Sequence, residues 1–206
     1  MEKRRIILIG GAPATGKSVL AKKLSNEYGI PWISTDVIRD WMKTVVSKDK
    51  YPHLFNFTEI TAEEHYKKHS VAETIKFEKL RDQDVFKGIK SFIEKNNDWE
   101  ECIIEGISLH PKFISQLNSE DYEIYPIFLV DNDEKRIKDI LVTRGLWDDA
   151  HTYEDWVKDI EEEYLIKTNQ YYMKECEKYK LKYFEIAEKR QETTKKIFTY
   201  LESKFK

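Results

Sequence analysis

The sequence predicts an α/β fold, a mostly parallel sheet covered by helices on both faces, and three observations carry that expectation. Arg5-Ile6-Ile7-Leu8-Ile9 is β-branched, has no polar residue after Arg5 and runs into Gly10-Gly11, the pattern of a strand buried on both sides. Further short apolar runs recur at 31–34, 102–106, 124–130 and 182–186. The stretches between them have helical spacing, and strands alternating with helices build a parallel sheet.

Taken in order, Val19, Leu20, Ala21 and Leu24 share one side of a helix from Gly16 to about Tyr28, which Gly29 closes. Pro31-Trp32-Ile33-Ser34 reads as a short second strand, and Val37, Ile38, Trp41 and Met42 give the next helix its spacing. From Thr61 to about Asn97 the chain is charged and helical, in two helices. Val85, Ile89, Phe92 and Ile93 are its apolar face and Gly88 a weak point. Strands three and four follow at Cys102–Gly106 and Ile124–Val130, with Pro126 making the start of the latter an edge or an irregular beginning. Helices are expected at 132–143 and 153–179, the second with Tyr153, Trp156, Val157, Ile160 and Tyr164 on one face. A last amphipathic helix carries Ile197, Leu201 and Phe205. With no repeat, linker or low-complexity stretch, residues 1–206 read as one domain.

Composition narrows the function classes. The chain has 206 residues, 35 Lys plus Arg against 38 Asp plus Glu, and a net charge of -3. That balance supplies no global cationic field for nucleic acid or an anionic membrane surface, so neither is an expected partner. Cys102 and Cys176 form neither a disulfide framework nor a metal cluster, which suits a reducing compartment. The apolar run Ile6–Ile9 is too short for a secretory signal, and no stretch approaches the roughly 20 apolar residues of a membrane span. The expectation is a cytoplasmic protein.

The chemistry is concentrated in Gly11-Ala12-Pro13-Ala14-Thr15-Gly16-Lys17-Ser18, which fits G-x-x-x-x-G-K-[ST] between a buried strand and a helix. Small residues let consecutive backbone N–H groups turn inward around a phosphate, and the helix that follows adds its positive end. Lys17 can reach the β and γ phosphates, and the Ser18 hydroxyl can ligate Mg2+. Gly11 through Val19 are therefore the nucleotide-binding segment. The third strand ends Ile103-Ile104-Glu105-Gly106, without the D-x-x-G switch or the N-K-x-D signature of a GTPase. A carboxylate there can hold Mg2+ through water or contact an acceptor; otherwise it is a strand-end acid facing solvent. Asp36, after the second strand, is a helix-start acid, the group that orients or deprotonates an acceptor hydroxyl across the cleft, or both. Arg39, one turn on, can grip an acidic group of that acceptor.

These residues resemble the P-loop small-molecule kinases, and most closely the 2-phosphoglycerate kinase family. The resemblance is carried by the first strand and loop, Ile33-Ser34-Thr35-Asp36-Val37-Ile38-Arg39, Gln83-Asp84-Val85-Phe86-Lys87-Gly88-Ile89, and Ile103-Ile104-Glu105-Gly106-Ile107-Ser108-Leu109-His110-Pro111. It implies a three-layer P-loop NTPase fold with a five-stranded parallel sheet in order 2-3-1-4-5 and a helical lid at about 132–170. It also implies ATP and Mg2+ as cofactors and transfer of the γ-phosphate to a hydroxyl of a small acceptor. The first candidate is 2-phosphoglycerate; kinases of nucleosides, antibiotics or polynucleotide ends, and an NTPase switch, are the alternatives. Lid arginines close on the phosphoryl group in such kinases, and Arg136 and Arg144 stand where they would be expected. An acceptor with about three negative charges needs cations beyond Lys17. Arg39 is the main choice, with Arg81, Lys43 and Lys112 as helpers or ordinary surface charges. His65 and His69, four apart, lack a third metal ligand and read as a solvated helix face. His110 is a lone loop histidine.

Overall fold

The computed structural model describes residues 3–95, 98–117, 120–143 and 152–205. Its sheet has five strands, β1 (Arg4–Gly11), β2 (Trp32–Ser34), β3 (Glu101–Glu105), β4 (Tyr122–Val130) and β5 (Tyr183–Glu185), in the order β2-β3-β1-β4-β5. Every pairing is parallel, with Ile7 opposite Ile103 on one side and Tyr125 on the other. The strand order expected from the resemblance is the one observed.

The apolar run of β1 is continuous because the strand packs on both faces. Ile6 and Leu8 face one core, shared with Val85, Ile89 and Ile93 of α4 (Val71–Lys95) and Tyr172 and Cys176 of α7 (Asp155–Tyr179). Ile7 and Ile9 face the other, shared with Leu20, Ala21 and Leu24 of α1 (Lys17–Tyr28) and Ile197 and Leu201 of α8 (Arg190–Lys204). Each fully buried Ile or Leu here contributes about 1.5–3 kcal/mol over an exposed one. The three layers of the fold are thus written in the alternation of four residues.

Pro126 sits in register with Leu8, inside a central strand. It is tolerated because β5 is short. Phe128, which faces the same side as Pro126, donates its N–H to the Lys182 carbonyl, while Pro126 lies before the first β5 pairing and has no partner there to disappoint. The start of β4 is an edge on that side, as expected.

The charged stretch after Thr61 does form two helices, α3 (Ala62–Tyr66) and α4, and α4 runs unbroken through Gly88. A Cβ at Gly88 would stand 2.3 Å from Met42 Sδ, so glycine there lets α2 (Thr35–Val45) lie against α4. The expected apolar face of α2 is only half used: Ile38 is buried, whereas Val37 and Trp41 are exposed. His65 also departs from expectation. It is buried, its Nε2 lies 2.8 Å from Thr74 Oγ1, and its ring packs on those of His69 and Phe57. A short α5 (Pro111–Ile114) follows β3, and α6 (Glu134–Thr143) follows β4. Ile137 and Leu141 of α6 join Tyr164 and Leu165 of α7 and Val71 of α4 in a separate apolar cluster. Among the described residues no helix is long and apolar enough to cross a membrane.

Candidate active site

A cleft of about 720 Å³ opens where β1, β2 and β3 end at their carboxyl termini. One wall is the loop from β1 to α1. Gly11 has φ +127°, and a Cβ there would stand 2.0 Å from the Leu129 carbonyl oxygen, so only glycine lets the loop leave the sheet this close to β4. Ala14 and Gly16 also have positive φ, which curls the chain back on itself. The Ala12 carbonyl accepts hydrogen bonds from Thr15 Oγ1 at 2.8 Å and from Lys17 Nζ at 2.6 Å. Ala12 and Thr15 are buried and brace the loop; Pro13, Ala14, Gly16, Lys17, Ser18 and Val19 line the cleft. No side chain caps α1, and its first residues, Lys17, Ser18 and Val19, line the cleft.

Glu105 closes β3 beside this loop and is 3% exposed. Burial pushes its carboxyl above the usual range, opposed by the Lys17 charge and by hydrogen bonds from the Ser18 and Ser34 hydroxyls. The alternative of a solvent-facing strand-end acid is excluded by that burial. Ser34 does double duty, because its hydroxyl oxygen also accepts the Asp36 N–H at 3.2 Å and so caps α2. The cap is therefore Ser34, and Asp36 is a first-turn residue whose carboxylate does not cap the helix. It lines the cleft, and its Oδ1 accepts from Arg39 Nη1 at 2.8 Å. Arg39 Nε also donates to Asp40, at 3.1 Å.

Gly106, directly after Glu105, has φ +151°, and a Cβ there would come within 1.8 Å of Thr35 Oγ1. The glycine thus lets the ends of β2 and β3 meet, which places Asp36 and Glu105 on one cleft.

The far wall comes from α4, α7 and the chain between α2 and α3. Arg81 is buried yet reaches the cleft, as do Glu78 and Tyr164. Tyr164 donates its hydroxyl to Glu78 Oε2 at 2.5 Å. Burial raises the Glu78 carboxyl to about 7 against the opposing charge of Arg81. Asn56 and Phe57 of the segment after a short 3-10 turn (Pro52–Phe55), with Tyr66 of α3, complete the wall. Lys43 lines the cleft too, its pKa lowered by burial and by Arg39. Lys112 is exposed and lies outside the cleft.

Arg136, expected as a lid arginine, is held outside the cleft. Its Nε and Nη2 fork onto Asp131 at 2.8 and 2.7 Å, Nη1 donates to Asp133 at 3.1 Å, and Nη2 also donates to the Ile186 carbonyl at 2.9 Å. These bonds tie the start of α6 to the end of β5. Arg144 lies outside the described residues.

Sequence reasoning placed the loop, Asp36, Arg39 and Glu105 together, and they do share the cleft. It missed Glu78 and Tyr164 and undervalued Arg81. The available signal was position: Glu78, Arg81 and Asp82 precede Val85 by seven, four and three residues, so they continue the buried face of α4 as charges.

The chain matches the cytidylate kinase-like family over residues 6–191. No curated protein matches it. Among solved structures it is similar to TT1252 from Thermus thermophilus, 14% identical over 100% of both chains with a TM-score of 0.55. It is also similar to shikimate kinase from Acinetobacter baumannii in complex with shikimate, 14% identical over 99% of this chain and 96% of that one, TM-score 0.52. A gluconokinase from Sinorhizobium meliloti is 12% identical over 95% and 90%, TM-score 0.51. At such identities the structural likenesses speak for the fold, which is the P-loop kinase fold. The family match, spanning most of the sequence and including the whole phosphate-binding loop, shows that the chain belongs to the cytidylate kinase-like family, as an ATP-dependent kinase.

Proposed function

We propose that the protein transfers the γ-phosphate of ATP, with Mg2+, to a hydroxyl of a small anionic acceptor held between α2, α4 and α7. The observation that carries this reading is the shared cleft. The phosphate loop, two carboxylates at strand ends and three cationic side chains (Arg39, Lys43, Arg81) line one space.

The loop N–H groups and Lys17 hold the triphosphate and offset charge on the transferring group. Ser18 and Glu105 present only oxygen, a donor set that suits Mg2+, which when bound there would neutralise charge on the β and γ phosphates. Asp36 orients the acceptor hydroxyl and takes its proton, from the opposite side of the cleft. Arg39 and Arg81 bind the acceptor's anionic group, Arg39 exchanging its Asp36 contact for the ligand.

The first acceptor to test is 2-phosphoglycerate, whose charge calls for such cations and whose kinases this sequence resembles. A nucleoside monophosphate is the second, favoured by the Phe57 and Tyr66 rings on the acceptor wall and by the family match. An ADP-release screen over phosphorylated acids, nucleoside monophosphates, nucleosides, sugars, antibiotics and oligonucleotides tests both. The reading expects ADP release that depends on an anionic small molecule; turnover only with oligonucleotides or an uncharged acceptor would refute it.

A further inference from the structure

Arg81 is a guanidinium buried to 7% exposure at the edge of the cleft, a costly arrangement unless its charge and donors are met. Its Nε donates to Asp82 Oδ1 at 3.0 Å, and its Nη2 lies 3.0 Å from the same oxygen and 3.8 Å from Glu78 Oε1. Nη2 nevertheless makes no hydrogen bond of good geometry. Asp82 therefore holds the guanidinium through Nε, Nη2 is buried without a hydrogen bond, and Arg81 lines the cleft.

Asp82 does not hold this position alone. Ser108 Oγ donates to Oδ1 at 2.9 Å, and His110 Nε2 lies 2.9 Å from Oδ2. On its other side, His110 Nδ1 lies 3.2 Å from the Tyr171 hydroxyl, and the ring stacks on Tyr172 at 5.5 Å. Both donors belong to the loop that follows Glu105. That loop is itself pinned, by the Gly106 N–H to the Ile9 carbonyl at 3.0 Å and by the Tyr172 hydroxyl to the Ile107 carbonyl at 2.5 Å. Ile9 ends the apolar run just before the phosphate loop. Arg81 is so tied, through Asp82 and the Ser108–His110 loop, to the frame that carries Lys17 and Glu105.

We infer that Asp82, held by Ser108 and His110, is a positioning residue that aims the Arg81 guanidinium at the acceptor's anionic group. The inference rests on the reading of this end of the cleft as the acceptor site. Burial alone would push the Asp82 carboxyl up, but the Arg81 charge and the bonds from His110 and Ser108 outweigh it and hold it at about 2. Asp82 is thus a permanent anion at working pH. Asparagine keeps its shape and loses the charge that fixes the guanidinium.

The test is a double-mutant cycle of Asp82→Asn with Arg81→Lys, with 2-phosphoglycerate and CMP as acceptor probes. Asp82→Asn is expected to raise the acceptor KM roughly tenfold while the ATP KM moves by less than about twofold, and to add less than about twofold in the Arg81→Lys background. Equal changes in both KM values, or full additivity with Arg81→Lys, would mean a merely structural role and overturn the inference. Should Asp82→Asn fail to fold, Ser108→Ala serves in its place, with a smaller rise that also vanishes beside Arg81→Lys. A probe-independent arm follows the Arg81 Nε–H NMR signal during titration with inorganic phosphate. A wild-type response that weakens in the Asp82 or Ser108 variant supports the inference, and one left unchanged refutes it. No wild-type response, with neither acceptor turned over, would instead remove the acceptor reading and the inference with it.

Discussion

Asp36 Oδ1 accepts a hydrogen bond from Arg39 Nη1 at 2.8 Å across one turn of α2, on the wall of the cleft that faces the phosphate loop. The pair joins the proposed base to the proposed acceptor anchor, and because Ser34 caps the helix, neither residue is needed to start it.

Asp36→Asn is accordingly expected to leave folding and ATP affinity almost unchanged and to depress phosphoryl transfer by at least about 10². Single-turnover transfer and ATP binding measured on the same variant check this. A residue serving only the helix start would leave transfer close to wild type.

Arg39→Lys keeps the charge and loses the planar fork, so the acceptor KM should rise several-fold more than that of ATP. Steady-state kinetics with each substrate varied in turn would show the split.

Glu78 gives the site a pH dependence whose sign can be worked out. Its carboxyl is raised to about 7 in the folded chain, first by burial, against an ordinary value of 4.5. The folded chain therefore keeps a proton that the unfolded chain has released, and stability is lost as pH rises from about 4.5 through 7. Glu78→Gln should remove that loss and gain on the wild type at pH 8, by at most about 3 kcal/mol, with little difference near pH 4. Urea unfolding at both pH values reads it. An ionised Glu78 beside Arg81 also repels an anionic acceptor, so its KM should climb above pH 7 in the wild type and less so in the variant.

Gly106→Ala must fit a Cβ at φ +151° only 1.8 Å from Thr35 Oγ1. The expected loss is about 2 kcal/mol or more, from strain and from separation of the β2 and β3 ends. Thermal unfolding together with transfer activity checks it, since both should fall.

The fold was legible in the sequence because burial on both faces leaves the same mark wherever it occurs: Ile6 to Ile9 could hardly be anything but a central strand. The phosphate loop was legible because its chemistry demands a fixed spacing. The far wall was not, for a physical reason. Arg81, Asp82 and Glu78 are charges on a helix face, and a charge on a face reads as solvent until the tertiary packing that buries it is known. The partners that meet Asp82 are 26 and 28 residues away, at Ser108 and His110. His65 misled in the same way, since the rings that bury it come from separate segments. Arg136 stands in the expected place in the sequence, but its contacts with Asp131, Asp133 and Ile186 could not be read from there.

The central claim is that Lys17 and its loop hold ATP for transfer to an acceptor in the same cleft. Acceptor-dependent ADP release by the wild type and by Lys17→Ala tests it most directly. Release is expected to require an added anionic acceptor and to fall in the variant by about 10² to 10³, the worth of one preorganised cationic donor at the transferring phosphate. Near-normal acceptor-dependent turnover by Lys17→Ala would contradict it.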